Sequence, residues 1–368
     1  MAEALKNVYS KEFVTNFLKC WSEINLSINQ QEFISFVFDK DWEALELKAR
    51  MSRLSDAMAL VLPNNFEQAV PIFYKLIEIL EKDDFPNRGY EYMFLPDYVE
   101  KFGRKHLDLS LELLARITQF VTSEFAIRPF IIDSEERVMA QLLKWSKSSD
   151  TDIRRLSSET CRSRLPWAMA LPRFKKDASL IIPILENLKN DDSLYVRKSV
   201  ANNLNDISKD HPDLALELAF KWHGKNENSD WIVKHGMRTL LKAGHPKSME
   251  LFDYANVDLL KLTNYQLLTP HVDFGKEAKF KFSISNITKD ELKIRLEFAV
   301  YFMKNNGVQT KKVFKISERT LEPKQQLDFT KHHPLKPIST RKYYAGEHGI
   351  ALIVNGIEFD KQSFLLNM

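Results

Sequence analysis

Three stretches of this chain are imperfect copies of one another: SDTDIRRLSSET (149–160), DDSLYVRKSVANNL (191–204) and NSDWIVKHGMRTLL (228–241). Each opens on acidic, Ser or Asn residues that suit a helix start. Each then places a β-branched residue before two basic or polar ones, Ile153-Arg154-Arg155, Val196-Arg197-Lys198 and Val233-Lys234-His235. The intervals, 43 and 37 residues, fall at or near the length of HEAT and armadillo repeats. A unit of this length is a helix pair that cannot bury its apolar face alone, so it must stack on a neighbour, and the stack forms a superhelix with a concave face. The fold class that follows is mainly α, a HEAT-like α-α superhelix. Helical apolar periodicity supports it over 41–60, 67–82, 106–121, 135–147, 178–189, 195–208 and 213–222. The short polar connections SKSSDTD, KNDDS and KNENSD suit antiparallel pairs. At 135–147 the apolar stripe is Val138, Leu142, Leu143 and Trp145, with Asp133 and Glu136 expected to form a capping-box-like start.

The pattern changes at 265–275, where LLTPHVDFG has no helical period. Alternation takes over at KFKFSIS, LKIRLEFAVYF, KVFKI and GIALIV, and Asn355-Gly356 between two apolar runs signals a two-residue hairpin turn. About seven strands in roughly 100 residues read as an antiparallel sandwich of immunoglobulin-like type. The Cys…Trp…Cys core of antibody domains is absent, so only the architecture is supported. The expected division is a helical repeat domain over 1–268 and a C-terminal β-sandwich over 269–368.

Net charge is only +3, less basic than most nucleic-acid-binding domains. Its distribution is uneven: residues 265–368 hold 17 Lys and Arg against 11 Asp and Glu, leaving 36 against 39 for the rest of the chain. An anion-binding surface in the helical part must therefore be a local patch. The repeats supply one, because stacking aligns their basic pairs into a stripe. The structural alternative is that Arg154, Arg197 and Lys234 make inter-repeat salt bridges. Cys20 and Cys161 have neither pairing nor metal spacing, which suits a reducing compartment. With no apolar signal core and no run near the roughly 20 residues that cross a bilayer, the expected location is the cytoplasm of a bacterial-type cell, on the nucleoid when DNA is bound. No phosphate loop, GxGxxG, HExxH, paired CxxC or GxSxG is present, so an NTPase, dehydrogenase, metalloenzyme or serine hydrolase finds no support. No metal, cofactor or membrane partner is expected, and a monomer is the default.

Residues 120–210 hold a different constellation: Glu124, Arg155 and Glu159 (four apart on one helix), Trp167 and Asp206, with Arg128, Arg162 and Arg164 close in sequence. Each has a structural alternative. Arg155 and Glu159 make a surface ion pair, Trp167 fills space between repeats, and Asp206 bonds a neighbouring loop. The segments LKNVYS (5–10), DWEALELKARM (41–51), SEFAIRPF (123–130), RRLSSE (154–159), RLPW (164–167) and LYVRKSVANNLNDISKDHP (194–212) resemble the AlkC-type DNA alkylation repair proteins, a HEAT-like glycosylase family related to the AlkD type. That branch is similar in carrying an immunoglobulin-like domain at its C-terminus.

The resemblance implies a monofunctional glycosylase of base excision repair. It implies that 3-methyladenine and 3-methylcytosine are hydrolysed from duplex DNA without drawing the base into a deep pocket. It places Glu124 and Glu159 toward the lesion nucleotide with Asp206 nearby, Trp167 against the deoxyribose or base edge, and Arg155 on a backbone phosphate. Further phosphate contacts are expected from Arg128, Arg164, Arg197, Lys198 and Lys234, and from Lys311, Lys312, Arg341 and Lys342 in the sandwich. The residue types suit the reaction. Methylation at N3 makes the base a cationic leaving group, and a fixed carboxylate stabilises the oxocarbenium character of the sugar and can orient water. One charge pair at about 4 Å and an effective dielectric near 20 supplies roughly 4 kcal/mol, about a thousandfold in rate. A non-catalytic HEAT scaffold and a damage-binding protein without glycosylase activity are the competing functions. The first predicts no DNA binding, the second lesion binding without base release.

Overall fold

The computed structural model describes residues 5–24, 29–82 and 89–368. The chain forms a helical N-terminal region followed by an immunoglobulin-like β-sandwich, and divides into two compact units, Met1–Asp210 with Gly224–Gly236, and His211–His223 with Met237–Met368.

In the first unit the three repeat segments become the helices Thr151–Thr160, Leu194–Asp210 and Glu227–Gly236, with the middle one packed against both others. Their apolar positions Leu156, Val196, Val200, Leu204, Ile232 and Val233 are buried, which is the stacking that a repeat of this length requires. Asp150 caps the first of them, its carboxylate accepting from the Ile153 amide at 2.9 Å. Gly236 is needed for the close approach: a Cβ there would lie 2.7 Å from the Leu204 side chain. Arg154 and Arg197, equivalent in the repeat, do equivalent work. Arg154 donates to the carbonyls of Ser148 and Ser149, and Arg197 to those of Asp191 and Asp192, so each guanidinium ties down the turn before its own helix. Arg154 also pairs with Asp191 of the next repeat at 2.6 Å. The helix at Glu135–Trp145 buries Val138, Leu142 and Trp145, but the expected capping box does not form. Asp133 closes the preceding helix, Glu124–Asp133, and its carboxylate is taken by Arg104.

The second unit begins before the sandwich. Its helix Pro212–Trp222 packs against Pro246–Leu251, with His223 edge-on to Phe252 at 5.3 Å. Nine strands follow: β1 Leu260–Leu267, β2 His271–Asp273, β3 Glu277–Asn286, β4 Leu292–Met303, β5 Gln309–Leu321, β6 Gln326–Pro334, β7 Gly346–Val354, β8 Ile357–Glu358 and β9 Gln362–Asn367. One sheet has the order β1-β3-β6, the other β2-β9-β7-β4-β5 with β8 on β7, and all pairs are antiparallel except β2 with β9. Phe280, Phe282 and Ile284 from one sheet and Ile294, Leu296, Phe298, Val300, Ile350, Leu352 and Val354 from the other fill the space between them. The sheet starts at Leu260, ahead of the boundary expected at 268: the alternation of Leu260, Leu262, Tyr265 and Leu267 is interrupted by an irregularity between Thr263 and Gln266, where Asn264 has φ of 56°. The Asn355-Gly356 turn forms as read, with φ of 47° and 81°, both positive as a type I′ turn demands. Gly356 also packs on Gly244, whose Cα would lie 2.4 Å from a Cβ at 356.

Candidate functional site

Three neighbouring helices of the first unit bring the three acidic residues into one chain of contacts. Glu124 is the first residue of Glu124–Asp133, Glu159 lies near the end of Thr151–Thr160, and Asp206 lies in the last turns of Leu194–Asp210. All three are buried, at 5%, 6% and 1% exposure. Isolated carboxylates would not tolerate that, so each is paired. Arg155 donates to both oxygens of Glu124 at 2.8 and 3.1 Å and comes within 3.8 Å of Glu159. Arg162 bridges the next gap, at 2.7 Å from Glu159 and 2.9 Å from Asp206. Lys209 closes the series at the rim, 3.0 Å from Asp206. Signs alternate along Glu124, Arg155, Glu159, Arg162, Asp206 and Lys209, so the formal charges cancel. Burial opposes the charge of both arginines, but their carboxylate neighbours more than offset it and hold each guanidinium above its ordinary value. The half-exposed ring of Tyr195 lies under the Arg155 guanidinium at 5.0 Å.

This geometry gives Arg155 a different task from the one expected. Its fork is occupied by Glu124 and Thr122, and it fixes the Glu124 carboxylate instead of standing free for a phosphate. The sequence places Arg162 close to the constellation but gives it no role, and does not bring in Lys209. The i,i+3 spacing of Glu159 to Arg162 and of Asp206 to Lys209 was the available signal.

Arg128 is a correction. It is fully buried and bonds only to backbone: Met169 O at 2.8 Å, and Thr160 O and Arg162 O at 2.7 Å each. With no carboxylate bonded to it, burial pulls its guanidinium down to about 10. Its guanidinium is committed to these carbonyls and is not turned out toward solvent. Its place on the helix face, invisible in sequence, decided this. The loop it holds presents Trp167, which is 60% exposed. Pro166 and Trp167 occupy the centre of a turn closed by the Ala168 amide on Leu165 O, and Trp167 has φ of 66°. That position usually takes Gly or Asn, and a bulky residue there costs on the order of 1–3 kcal/mol. Lys48, from the first turn of Leu47–Met58, donates to Trp167 O at 2.9 Å and lies 5.9 Å from the Phe125 ring centre.

The remaining basic residues divide by environment. Arg164 pairs with Asp210. Arg197, besides its carbonyl bonds, lies 5.9 Å from the Trp231 ring, on which His235 stacks. Lys198 is exposed and Lys234 half-buried. In the sandwich, Lys311 pairs with Glu358, the Arg341 guanidinium lies 3.7 Å from the Phe302 ring centre, and Lys312 and Lys342 are exposed beside Phe314 and Tyr344. Near Lys48 a cavity of about 90 Å³ is lined by Met51, Met93, Asp97, Glu100 and Phe125. Burial there, with the charge of Asp97 adding, pushes the Glu100 carboxyl up to about 7. Among the described residues no group of three or more His, Cys, Asp or Glu is arranged to hold a metal, and no helix is long and apolar enough to cross a membrane.

Comparison with known proteins bears on both units. Residues 94–240 match the family described as DNA alkylation repair enzyme, and residues 261–368 match the C-terminal Ig-like domain of uncharacterised protein YhaZ. The chain is 38% identical to YhaZ of Bacillus subtilis (strain 168) over 361 residues, 98% of each chain. It is also similar to Pseudomonas fluorescens alkylpurine DNA glycosylase AlkC, solved bound to DNA containing an abasic site analog. There the TM-score is 0.94 and the identity 30%, with each chain covered in full.

Proposed function

The chain belongs to the DNA alkylation repair family with a YhaZ-type C-terminal Ig-like domain, and from that membership we propose that it is a DNA glycosylase releasing cationic N3-alkylated bases, 3-methyladenine and 3-methylcytosine, from duplex DNA. The observation that carries the proposal is the placement of Glu124, Glu159 and Asp206 on three adjoining helices, buried and each locked by a basic partner. A carboxylate that already has its partner and orientation needs no reorganisation when positive charge develops beside it, which is the condition for electrostatic catalysis.

In this reading the base departs with its own positive charge neutralised by the bonding electrons. The sugar left behind is stabilised by carboxylate charge while water adds to C1′ and gives up a proton to solvent. Arg155 and Arg162 hold the carboxylates in place and keep the site from repelling phosphates. Trp167 supports the lesion nucleotide from its exposed turn. Lys198 in the helical unit, and Lys312 and Lys342 in the sandwich, are the exposed cations for phosphate contact. Lys311, Arg341, Arg164 and Arg197 already have partners and contribute to the field more than to direct contact.

The test is incubation of the full chain with methylated duplex DNA and chromatography of the released bases. Free 3-methyladenine or 3-methylcytosine is expected. Tight binding to the methylated duplex without base release leaves a damage-binding protein, and no binding leaves a protein scaffold.

A further inference from the structure

The turn that carries Trp167 is a strained element held from two sides, and neither holder is part of the carboxylate network. Left to local preference, a tryptophan at the third position of a Pro-containing turn would not keep a positive φ. Two cations oppose its relaxation. Arg128 enters from the helix Glu124–Asp133 and donates to carbonyls on both flanks of the turn, Thr160 and Arg162 before it and Met169 after it. Five N–H groups in a rigid planar fork reach three carbonyls from fixed directions, a spread that the compact ammonium of a lysine does not reproduce. Lys48 donates to the carbonyl of Trp167 itself, from another helix.

The position of Lys48 does not serve its own helix. A cation in the first turn of Leu47–Met58 opposes the helix dipole, that turn has no acidic residue, and the cap position Glu46 makes no side-chain cap bond. The neighbouring Glu46 carboxylate pairs with Lys6 instead. What the Lys48 side chain does is cross Phe125, the residue after Glu124, and finish on the backbone of Trp167. It thereby ties the exposed indole to the same helix start that bears a buried carboxylate.

We infer that Lys48 and Arg128 are positioning residues that hold the strained Leu165–Ala168 turn so that the exposed Trp167 indole stands fixed against the start of the helix that bears Glu124. The inference rests on the glycosylase reading for its functional consequence, but the latch itself can be read without it.

The test uses the full chain with Lys48→Ala and Lys48→Arg, and with Arg128→Lys as the buried counterpart. Trp167 emission is obtained as the difference between each protein and the same protein carrying Trp167→Phe. Acrylamide quenching and anisotropy then report the indole alone. Lys48→Ala should loosen it, with a lower anisotropy and a quenching constant about twofold higher, and Lys48→Arg should restore both. In single-turnover base release Lys48→Ala should lose about tenfold while the melting midpoint stays put, and it should lose nothing further in a Trp167→Ala background. Because Arg128→Lys removes buried bonds and can compromise folding, the exposed Lys48 carries the decision. Unchanged Trp167 emission in Lys48→Ala overturns the latch. A tenfold loss that persists in the Trp167→Ala background overturns its action through Trp167. If the wild-type chain releases no base, the glycosylase reading fails, and the emission measurement still decides the latch.

Discussion

Replacing Arg162 by methionine removes the one cation shared by Glu159 and Asp206 and leaves a side chain of similar length in its place. The two contacts, at 2.7 and 2.9 Å, are each worth about 6 kcal/mol by Coulomb's law at an effective dielectric of 20. Most of that is offset by the cost of burying the guanidinium, and breaking a buried pair from one side costs about 3–5 kcal/mol in practice. The alternation of signs survives only in part: three carboxylates remain against Arg155 and Lys209, so one negative charge is uncompensated. That uncompensated buried charge should cost the folded variant about 4 kcal/mol. Urea unfolding followed by circular dichroism reads this. With a slope of about 2–3 kcal/mol/M, the transition of the helical unit should move by roughly 1.3–2 M. A deficit below about 1 kcal/mol would refute the picture of a tightly coupled charge chain.

Two further outcomes follow from the same geometry. Glu100 is held up to about 7 by burial, so stability from its neutral form is complete below the usual carboxylate range and lost as pH rises through 7. Glu100→Gln should match the parent at pH 4.5 and exceed it by about 1–2 kcal/mol at pH 8.5, after discounting for the part of the side chain that meets solvent; superimposable pH profiles of the melting midpoint would contradict this. DNA affinity should fall steeply with salt, and Lys198→Gln, Lys312→Gln and Lys342→Gln should each flatten the log–log slope by about one unit. Fluorescence-anisotropy titrations at several salt concentrations measure it, and unchanged slopes would remove those lysines from the phosphate contacts.

Much of the architecture was legible because it rests on period. The 43- and 37-residue intervals announced stacked helices, and Asn355-Gly356 announced a turn with two positive φ values. Where a residue's role depends on which face it occupies in three dimensions, sequence was a poor guide. Arg128 and Arg155 look alike as basic residues near acidic ones, yet one staples a loop and the other clamps Glu124. Asp133 looks like a helix cap, but Arg104, 29 residues earlier, claims it. β1 was hard to read because a register shift between Thr263 and Gln266 interrupts its two-residue period. Lys48 was unreadable altogether: its partner is a backbone carbonyl 119 residues away, and no spacing rule connects them.

The most direct measurement is single-turnover release of 3-methyladenine from duplex DNA by Glu124→Gln, Glu159→Gln and Asp206→Asn, alongside binding of the same duplex. Loss of one positioned electrostatic partner should slow release by about 10²–10³-fold while the dissociation constant changes less than about threefold, a gap of under 1 kcal/mol. Full rates in all three variants, or a loss of affinity that accounts for the loss of rate, would contradict a role for these carboxylates in stabilising the charge on the sugar as the base departs.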